Sequence, residues 1–263
     1  MKKNIGGLSV LLEGNQKDRA IIFLHGFPYD HTMWHNQIEA FRDDYYCVAY
    51  DIRGLGSSSV GDGQFTMESL VDDLEMIINE LKMEKLPILC GFSLGGYIAL
   101  RALERMEDKF SAVILCHTTS HADDNEEKLD RSDVIRRINA QGLTSFSKNF
   151  IGHCFSDGYK KEHKEVVDKR IAKSTKLNSI GVKGCLFAML TRNDTTPYLP
   201  LLSLPTLVLC GELDTQTPPL AMKAMADQIS DASFVVLKNA AHMSLIENAT
   251  DANDAIKTFL AKL

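Results

Sequence analysis

The sequence predicts an α/β protein built on a mostly parallel, doubly wound sheet. Short apolar runs without polar alternation, such as residues 20–24 and 112–116, are typical of strands buried on both faces. These runs alternate along the chain with helix-like segments, which indicates a sheet covered on both sides. At 263 residues and 44% hydrophobic, the chain can bury the core of one large domain, with or without an insertion.

The first half of the chain gives the clearest alternation. Strands are predicted over residues 7–13, 20–24 and 47–50, with a helix over residues 32–41. Residues 66–81 form the best-defined helix, because their apolar positions recur in steps of three and four. Thr66 is its expected N-cap.

Residues 86–103 join a strand to a helix without a linker. Residues 88–90 predict a buried strand, residues 97–103 a helix, and the sequence between them is Gly91-Phe92-Ser93-Leu94-Gly95. A G-x-S-x-G turn in this setting holds the serine in a strained conformation and exposes its hydroxyl at the end of the sheet. Ser93 is therefore the candidate nucleophile.

The alternation breaks between residues 118 and 196. The charged run at residues 123–127 is expected to be a solvated loop, and helices are predicted over residues 134–140, 143–150 and 166–173. Strands return at 206–210 and 234–237, with helices at 220–229 and 252–263. We therefore predict an α/β core of residues 1–117 and 197–263, with residues 118–196 inserted as a helical cap.

Composition excludes several classes of function. A net charge of −6 argues against binding to nucleic acid or to an anionic membrane surface. No apolar run is long enough to span a membrane or to serve as a signal core, so a cytoplasmic protein is expected. The six cysteines form no C-x-x-C pair and are expected to be reduced core residues, and no cluster supports a metal site. Residues 51–57 lack the third glycine of a dinucleotide fingerprint.

A serine hydroxyl needs a histidine to accept its proton and a carboxylate to orient that histidine. Asp214 follows the predicted strand at 206–210, and His242 follows the strand at 234–237. The competing acids are Asp123 and Asp124, after the preceding strand. The chain order Ser93, Asp214, His242 differs from the orders found in chymotrypsin and subtilisin.

Five motifs carry a resemblance to a known family. They are HGF at residues 25–27, D-x-R-G-x-G-x-S at 51–58, GFSLGG at 91–96, G-x-x-D-x-x-x-P at 211–218 and H-x-x-x-x-E at 242–247. In this order, the chain resembles α/β-hydrolase-fold serine hydrolases, and AAHMSLIEN resembles the branch of 3-oxoadipate enol-lactonases and small carboxylesterases. The chain departs from the usual pattern at Ala241 and Ala249.

The resemblance implies a two-step hydrolase that cleaves a carboxylic ester or lactone through an acyl-enzyme on Ser93, with Asp214 and His242 as partners. It places the oxyanion hole at the backbone N–H groups of Phe27 and Leu94. It implies a small-molecule substrate and a reaction that needs no cofactor and no metal. Association into a homo-oligomer stays open. His25, Arg53 and Glu247 are expected to be structural.

Two other classes stay open. One is a C–C bond hydrolase or lyase on the same three residues, for which cap arginines would hold a substrate carboxylate; the other is a non-catalytic small-ligand receptor. The candidate arginines are Arg136, Arg137, Arg170 and Arg192. The residues that could form an acyl pocket are Phe146, Phe150, Phe155, Phe187 and Met189. The histidines whose role stays open are His117, His121 and His153.

Overall fold

The computed structural model describes all 263 residues, and its centre is one eight-stranded sheet in the order β1-β2-β4-β3-β5-β6-β7-β8. The strands are β1 (Lys2–Ile5), β2 (Leu8–Glu13), β3 (Ala20–Leu24), β4 (Tyr46–Tyr50), β5 (Ile88–Phe92), β6 (Ala112–Cys116), β7 (Thr206–Gly211) and β8 (Ala232–Leu237). β2 pairs antiparallel with β1 and β4, and all other pairs are parallel. The predicted α/β class with a mostly parallel sheet is confirmed.

Helices cover both faces of this sheet. They are α1 (His35–Phe41), α2 (Met67–Leu81), α3 (Leu94–Met106), α4 (Asn125–Gln141), α5 (Leu143–Cys154), α6 (Asp157–Glu162), α7 (Lys164–Ser174), α8 (Ser179–Leu190), α9 (Pro219–Ala226), α10 (Ser244–Glu247) and α11 (Ala249–Leu260). Alternate residues of β3 enter two different apolar clusters, Ile22 and Leu24 one and Ile21 and Phe23 the other. The sheet therefore has a core on each side, as the uninterrupted apolar strands predicted.

The parallel strands bring the candidate site together. β5, β6, β7 and β8 are consecutive in the sheet, so their carboxyl ends lie along one edge. Ser93 and His117 directly follow β5 and β6, and Asp214 lies three residues past β7. Side chains that are distant in sequence are thus placed next to one another, at the edge where open α/β sheets bind ligands.

Several predicted elements differ in the structure. The run at residues 123–127 is not a loop: α4 begins at Asn125, and Asp124 is its N-cap, accepting the Glu127 N–H at 2.9 Å. Acidic side chains at this end are favoured by the helix dipole, so the charges start a helix. The helix expected over residues 32–41 begins as a 3₁₀ turn at His31–Trp34. Strand β1 and helices α6 and α8 were not predicted.

Two predictions from composition can be compared with the structure. All six cysteines are buried and unpaired, which confirms their interpretation as core residues. No helix has the length and apolar character needed to cross a membrane.

Candidate active site

Ser93 stands between β5 and α3 with φ 52° and ψ −114°. Positive φ is unfavourable for a residue with a side chain, so the surrounding structure must enforce it. The Ser93 N–H donates to the Cys116 carbonyl of the neighbouring strand at 2.9 Å. This is the strained strand-to-helix turn that the G-x-S-x-G motif predicts.

The two flanking glycines are required by close contacts. A Cβ on Gly91 would lie 2.5 Å from the Gly95 carbonyl oxygen, and one on Gly95 would lie 2.1 Å from the Leu24 carbonyl oxygen. Both contacts are with backbone, which cannot rotate away. Only glycine therefore allows β5 and α3 to approach this closely.

Asp214 is held rigidly in a buried turn after β7. Its Oδ1 accepts the Gln216 N–H at 2.8 Å and the Thr217 N–H at 3.2 Å, and its Oδ2 accepts the Thr217 hydroxyl at 2.6 Å. Burial alone would raise the pKa of Asp214, but the neighbouring imidazoles of His242 and His117 hold it well below the ordinary value. Asp214 is therefore a carboxylate at neutral pH.

His242 points from the loop after β8 towards this carboxylate, with its Nδ1 2.8 Å from Asp214 Oδ2. Because an ionised carboxylate can only accept, Nδ1 carries the proton and Nε2 keeps a lone pair. His242 and Ser93 line the same cavity, of about 330 Å³. The arrangement gives a histidine that is oriented by an acid and is able to accept a proton.

The competing acids are engaged elsewhere. Asp124 caps α4. Asp123 is buried and forms ion pairs with Arg131 and Arg192, whose guanidinium groups converge on its carboxylate. Asp214 is the acid that contacts His242.

The two amides proposed for the oxyanion hole lie at turns beside Ser93. Leu94 is the first residue of α3, so its N–H belongs to the turn whose amides have no partner within the helix. Phe27 follows β3 and lines the cavity. Its ring packs against Phe146 and Phe150 of α5, with centroids 5.8 and 5.6 Å away.

Residues from the inserted helices complete the cavity wall. Arg131 of α4, Phe150 of α5 and Met189 of α8 line it, together with Arg192. Arg192 also lies over the Tyr97 ring at 4.2 Å. Of the arginines that the sequence singled out, only Arg192 lines this cavity, and Arg131 was missed.

Most of the other pocket candidates lie outside the Ser93 cavity. Arg136 pairs with Asp133 at the surface, and Arg170 donates to the Thr32 carbonyl. Arg137, Phe146 and His153 line an adjoining cavity of about 240 Å³ that shares Phe150 and Gln216 with the first. Phe155 stacks on Tyr159, Phe187 is 43% exposed, and His121 lines the Ser93 cavity.

Glu247 connects the His242 loop to the inserted helices. One carboxylate oxygen accepts the Ala241 N–H and the other accepts the Ser156 N–H just before α6, both at 3.1 Å. Burial raises the pKa of Glu247. The structural role predicted for this residue is confirmed, and the connection to Ser156 is new.

The roles expected for His25 and Arg53 are also confirmed. His25 Nε2 accepts the Ile52 N–H at 2.8 Å, so the neutral ring fixes the loop after β4 against the loop after β3. Arg53 pairs with Asp73 of α2 at 2.5 Å. Asp51 accepts the Ser57 N–H at 2.8 Å, which explains the motif at residues 51–58 as a closed structural turn.

The main residue that the sequence analysis did not assign is His117, whose Nδ1 lies 2.7 Å from the same Asp214 oxygen that His242 contacts. The sequence feature that could have identified His117 is its position directly after a buried strand, which it shares with Ser93. His117, Asp214 and His242 place one ligand atom each within 4.8 Å of the others, as a metal site would. Both Nδ1 atoms are already directed at the carboxylate, however, so hydrogen bonds account for the cluster.

Comparison with known proteins agrees with the fold described above. The family model for the α/β hydrolase fold matches residues 19–249. Among curated proteins, 3-oxoadipate enol-lactonase 2 of Acinetobacter baylyi is 27% identical over 248 residues, which is 94% of this chain and 91% of the relative. Enol-lactonase 1 of that organism is 28% identical over 91% of this chain and 88% of its own length.

Solved structures show the same likeness. A thermophilic esterase from Thermogutta terrifontis superposes with a TM-score of 0.92 at 32% identity, covering 100% of this chain and 98% of that one. The enol-lactonase of Burkholderia xenovorans shares the fold at 23% identity, with a TM-score of 0.90 over 99% of this chain and 100% of that one. Fold, motifs and comparisons agree, and the chain belongs to the α/β-hydrolase fold family.

Proposed function

We propose that this protein is a serine hydrolase that cleaves a carboxylic ester or lactone through an acyl-enzyme on Ser93. The observation that carries the proposal is that Ser93 and His242 line one cavity while His242 Nδ1 contacts the buried Asp214 carboxylate at 2.8 Å. The enol-lactonase and esterase relatives support the substrate class.

In the first step, Ser93 Oγ bonds to the carbonyl carbon while its proton passes to His242 Nε2. Asp214 stabilises the resulting imidazolium, and the N–H groups of Phe27 and Leu94 bind the oxyanion. The carbon–oxygen bond to the alcohol then breaks, and His242 protonates that alcohol. In a lactone the alcohol remains attached to the acyl group.

In the second step, a water molecule attacks the acyl-enzyme and gives its proton to His242. The bond to Ser93 breaks, and His242 returns a proton to the Ser93 oxygen as the carboxylic acid leaves. We propose that residues 118–196 act as the cap over this site. Phe150, Met189 and the two arginines reach the cavity from this segment, so its shape would select the substrate.

The test is covalent labelling followed by turnover. A fluorophosphonate should add mass at Ser93, and Ser93→Ala should abolish both labelling and hydrolysis of short p-nitrophenyl esters. Ser132→Ala, an exposed serine of α4, is the control and should behave as wild type. Failure of the well-folded wild-type protein to be labelled would contradict the proposal and favour a ligand receptor.

A C–C bond hydrolase or lyase on the same residues is the second candidate, because Arg131 and Arg192 bring two guanidinium groups to the cavity. Asp123 already pairs with both, which leaves less charge for a substrate carboxylate. A panel of simple esters, lactones and vinylogous 1,5-diketones separates the candidates. Turnover confined to the diketones would replace the ester-hydrolase proposal.

A further inference from the structure

A second histidine, which does not line the Ser93 cavity, contacts the carboxylate of the candidate site. His117 follows β6 with φ 50° and is fully buried. Its Nδ1 lies 2.7 Å from Asp214 Oδ2, and its Nε2 lies 2.5 Å from Ser244 Oγ. Both ring nitrogens are therefore occupied by protein groups, so His117 is unable to act as a base on substrate.

The proton positions follow from the partners. Burial lowers the pKa of His117 to about 4, although the bond to Asp214 opposes this shift, so the ring carries one proton at neutral pH. The carboxylate can only accept, which places that proton on Nδ1. Nε2 must then accept, and the Ser244 hydroxyl donates to it. Asp214 thus fixes the tautomer of His117, and the Ser244 hydroxyl satisfies the ring nitrogen that accepts.

We propose that His117 is a positioning residue for the reaction, one that holds the Asp214 carboxylate and shares Oδ2 with His242, so that it tunes the proton affinity of the His242 ring. The inference rests on the proposed function. Oδ2 lies 2.7 Å from one Nδ1 and 2.8 Å from the other, so neither ring has sole use of its charge. The Phe92 ring packs against both imidazoles, with centroids 5.4 and 5.0 Å away.

The direction of the effect follows from electrostatics. A hydrogen bond donated by a neutral ring disperses the charge of Asp214, and the carboxylate then stabilises the His242 imidazolium less. Removing the His117 donor should make His242 hold its proton more tightly.

Few other groups can contribute to this titration. Asp214 and His242 are the titratable groups that act on His117. Cys154 of α5 and Cys210 of β7, two thiols that interact electrostatically with Asp214, stay neutral because burial raises their pKa to about 11 and about 12. Removing His117, a neutral hydrogen-bond donor to Asp214, therefore tests whether it tunes the proton affinity of His242.

The experiment compares His117→Leu with His117→Asn. The leucine removes the donor, whereas the asparagine amide can place an N–H where Nδ1 stood. In the leucine variant, the midpoint of the acid limb of the kcat/KM profile should shift to a pH about 0.5 to 1 unit higher. At pH values below that limb, kcat/KM should therefore fall by about three- to tenfold. The asparagine variant should keep the wild-type limb.

The opposite outcomes are distinct. A leucine variant that is labelled normally by fluorophosphonate and keeps the wild-type limb would overturn the positioning role alone. An asparagine variant with the same shift as leucine would also overturn it. Absence of labelling in the wild-type enzyme would instead contradict the proposed function.

A second measurement remains decisive if the leucine variant does not fold. Nitrogen NMR of ¹⁵N-histidine in the wild-type protein should show His117 as the neutral Nδ1–H tautomer at pH 7 and still at pH 5.5. Ser244→Ala, which removes the donor to Nε2, should disturb the His117 signals. An Nε2–H tautomer in the wild type would refute the proposed role.

Discussion

Ser93 is held at a φ of 52° by its neighbours, and the price of that strain is about 1 to 3 kcal/mol. Gly95 is the neighbour with the least room, because its Cα faces the Leu24 carbonyl of β3 across a gap that admits no Cβ. The conformation of the proposed nucleophile thus depends on a residue that takes no part in chemistry.

Gly95→Ala should lower the free energy of unfolding by at least about 2 kcal/mol, because β3 and α3 must separate to admit the methyl group. Urea unfolding measures this, and the rate of fluorophosphonate labelling reports on the turn. Gly152→Ala is the matched control: Gly152 lies within α5, where a Cβ would meet nothing within 4 Å. That change should be neutral or stabilising by up to about 1 kcal/mol. Equal effects of the two changes would contradict the packing argument.

Asp214→Asn tests the acid directly. The amide can donate where the carboxylate only accepted, so His242 would be forced towards the wrong tautomer. We expect kcat to fall by about 10³- to 10⁴-fold with little change in KM, measured on a p-nitrophenyl ester. Asp123→Asn serves as the comparison for the competing acid; a larger loss of kcat there than in Asp214→Asn would reassign the role.

One buried carboxylate ties helix α4 to the segment that follows α8. Asp123 precedes the helix, Arg131 lies on it, and Arg192 follows α8, so a single acid ties the two ends of the inserted helices together. The Asp123 side chain is fully buried and that of Arg192 is 5% exposed. Loss of the acid would leave a buried guanidinium without its counter-charge.

Asp123→Asn should therefore destabilise the protein by about 3 kcal/mol in urea unfolding, within the usual range for breaking one side of a buried pair. Asp133→Asn is the control in the same helix, since Asp133 pairs with Arg136 at the surface. The control should change the free energy of unfolding by less than about 0.5 kcal/mol. A small effect at Asp123 would show that α4 is held by other contacts.

The elements that the sequence did not predict lack a periodic signal. β1 reads Lys-Lys-Asn-Ile with three of its four residues exposed, because it is an edge strand that pairs on one side only. α8 is apolar around most of its circumference and packs against α4 and against the loop after β4, so no polar face marks it as a helix. Exposure at a sheet edge and burial on more than one side both remove the pattern on which such predictions depend.

Across the whole molecule, more of the candidate site than of the helical segment around it could be predicted from the sequence. Ser93, Asp214 and His242 each stand after an apolar strand, and their motifs occur in a fixed chain order, so the three could be recognised together. His117 and Arg131 acquire their surroundings only when distant elements meet, β6 with β7 in one case and α4 with α8 in the other. No local sequence pattern encodes a contact between such distant elements.

The stability of the molecule should depend on pH through His117. The unfolded ring has a pKa near 6.5 and the folded one about 4, so the unfolded state binds more protons between these values. Stability is thus complete above pH 6.5 and is lost as the pH falls towards 4. Between pH 7 and pH 5 the loss from this residue should be roughly 2 kcal/mol.

Urea unfolding at pH 7 and pH 5 of the wild type and of His117→Asn measures this contribution. The variant should lose about 2 kcal/mol less over the interval, because asparagine does not titrate while the other acids and histidines remain. An equal loss in both proteins would show that His117 does not take up a proton on unfolding in this range.

The Glu247 carboxylate accepts the Ala241 N–H with one oxygen and the Ser156 N–H with the other. These two hydrogen bonds constrain how substrate preference can be exchanged between homologous enzymes. A transplanted set of inserted helices would need a free main-chain N–H at the position of Ser156. Without it, a buried acid beside the His242 loop would lose half of its partners, and the loop would shift. Chimeras made for a new specificity should therefore keep residues 155–157 of the recipient with its own His242 loop.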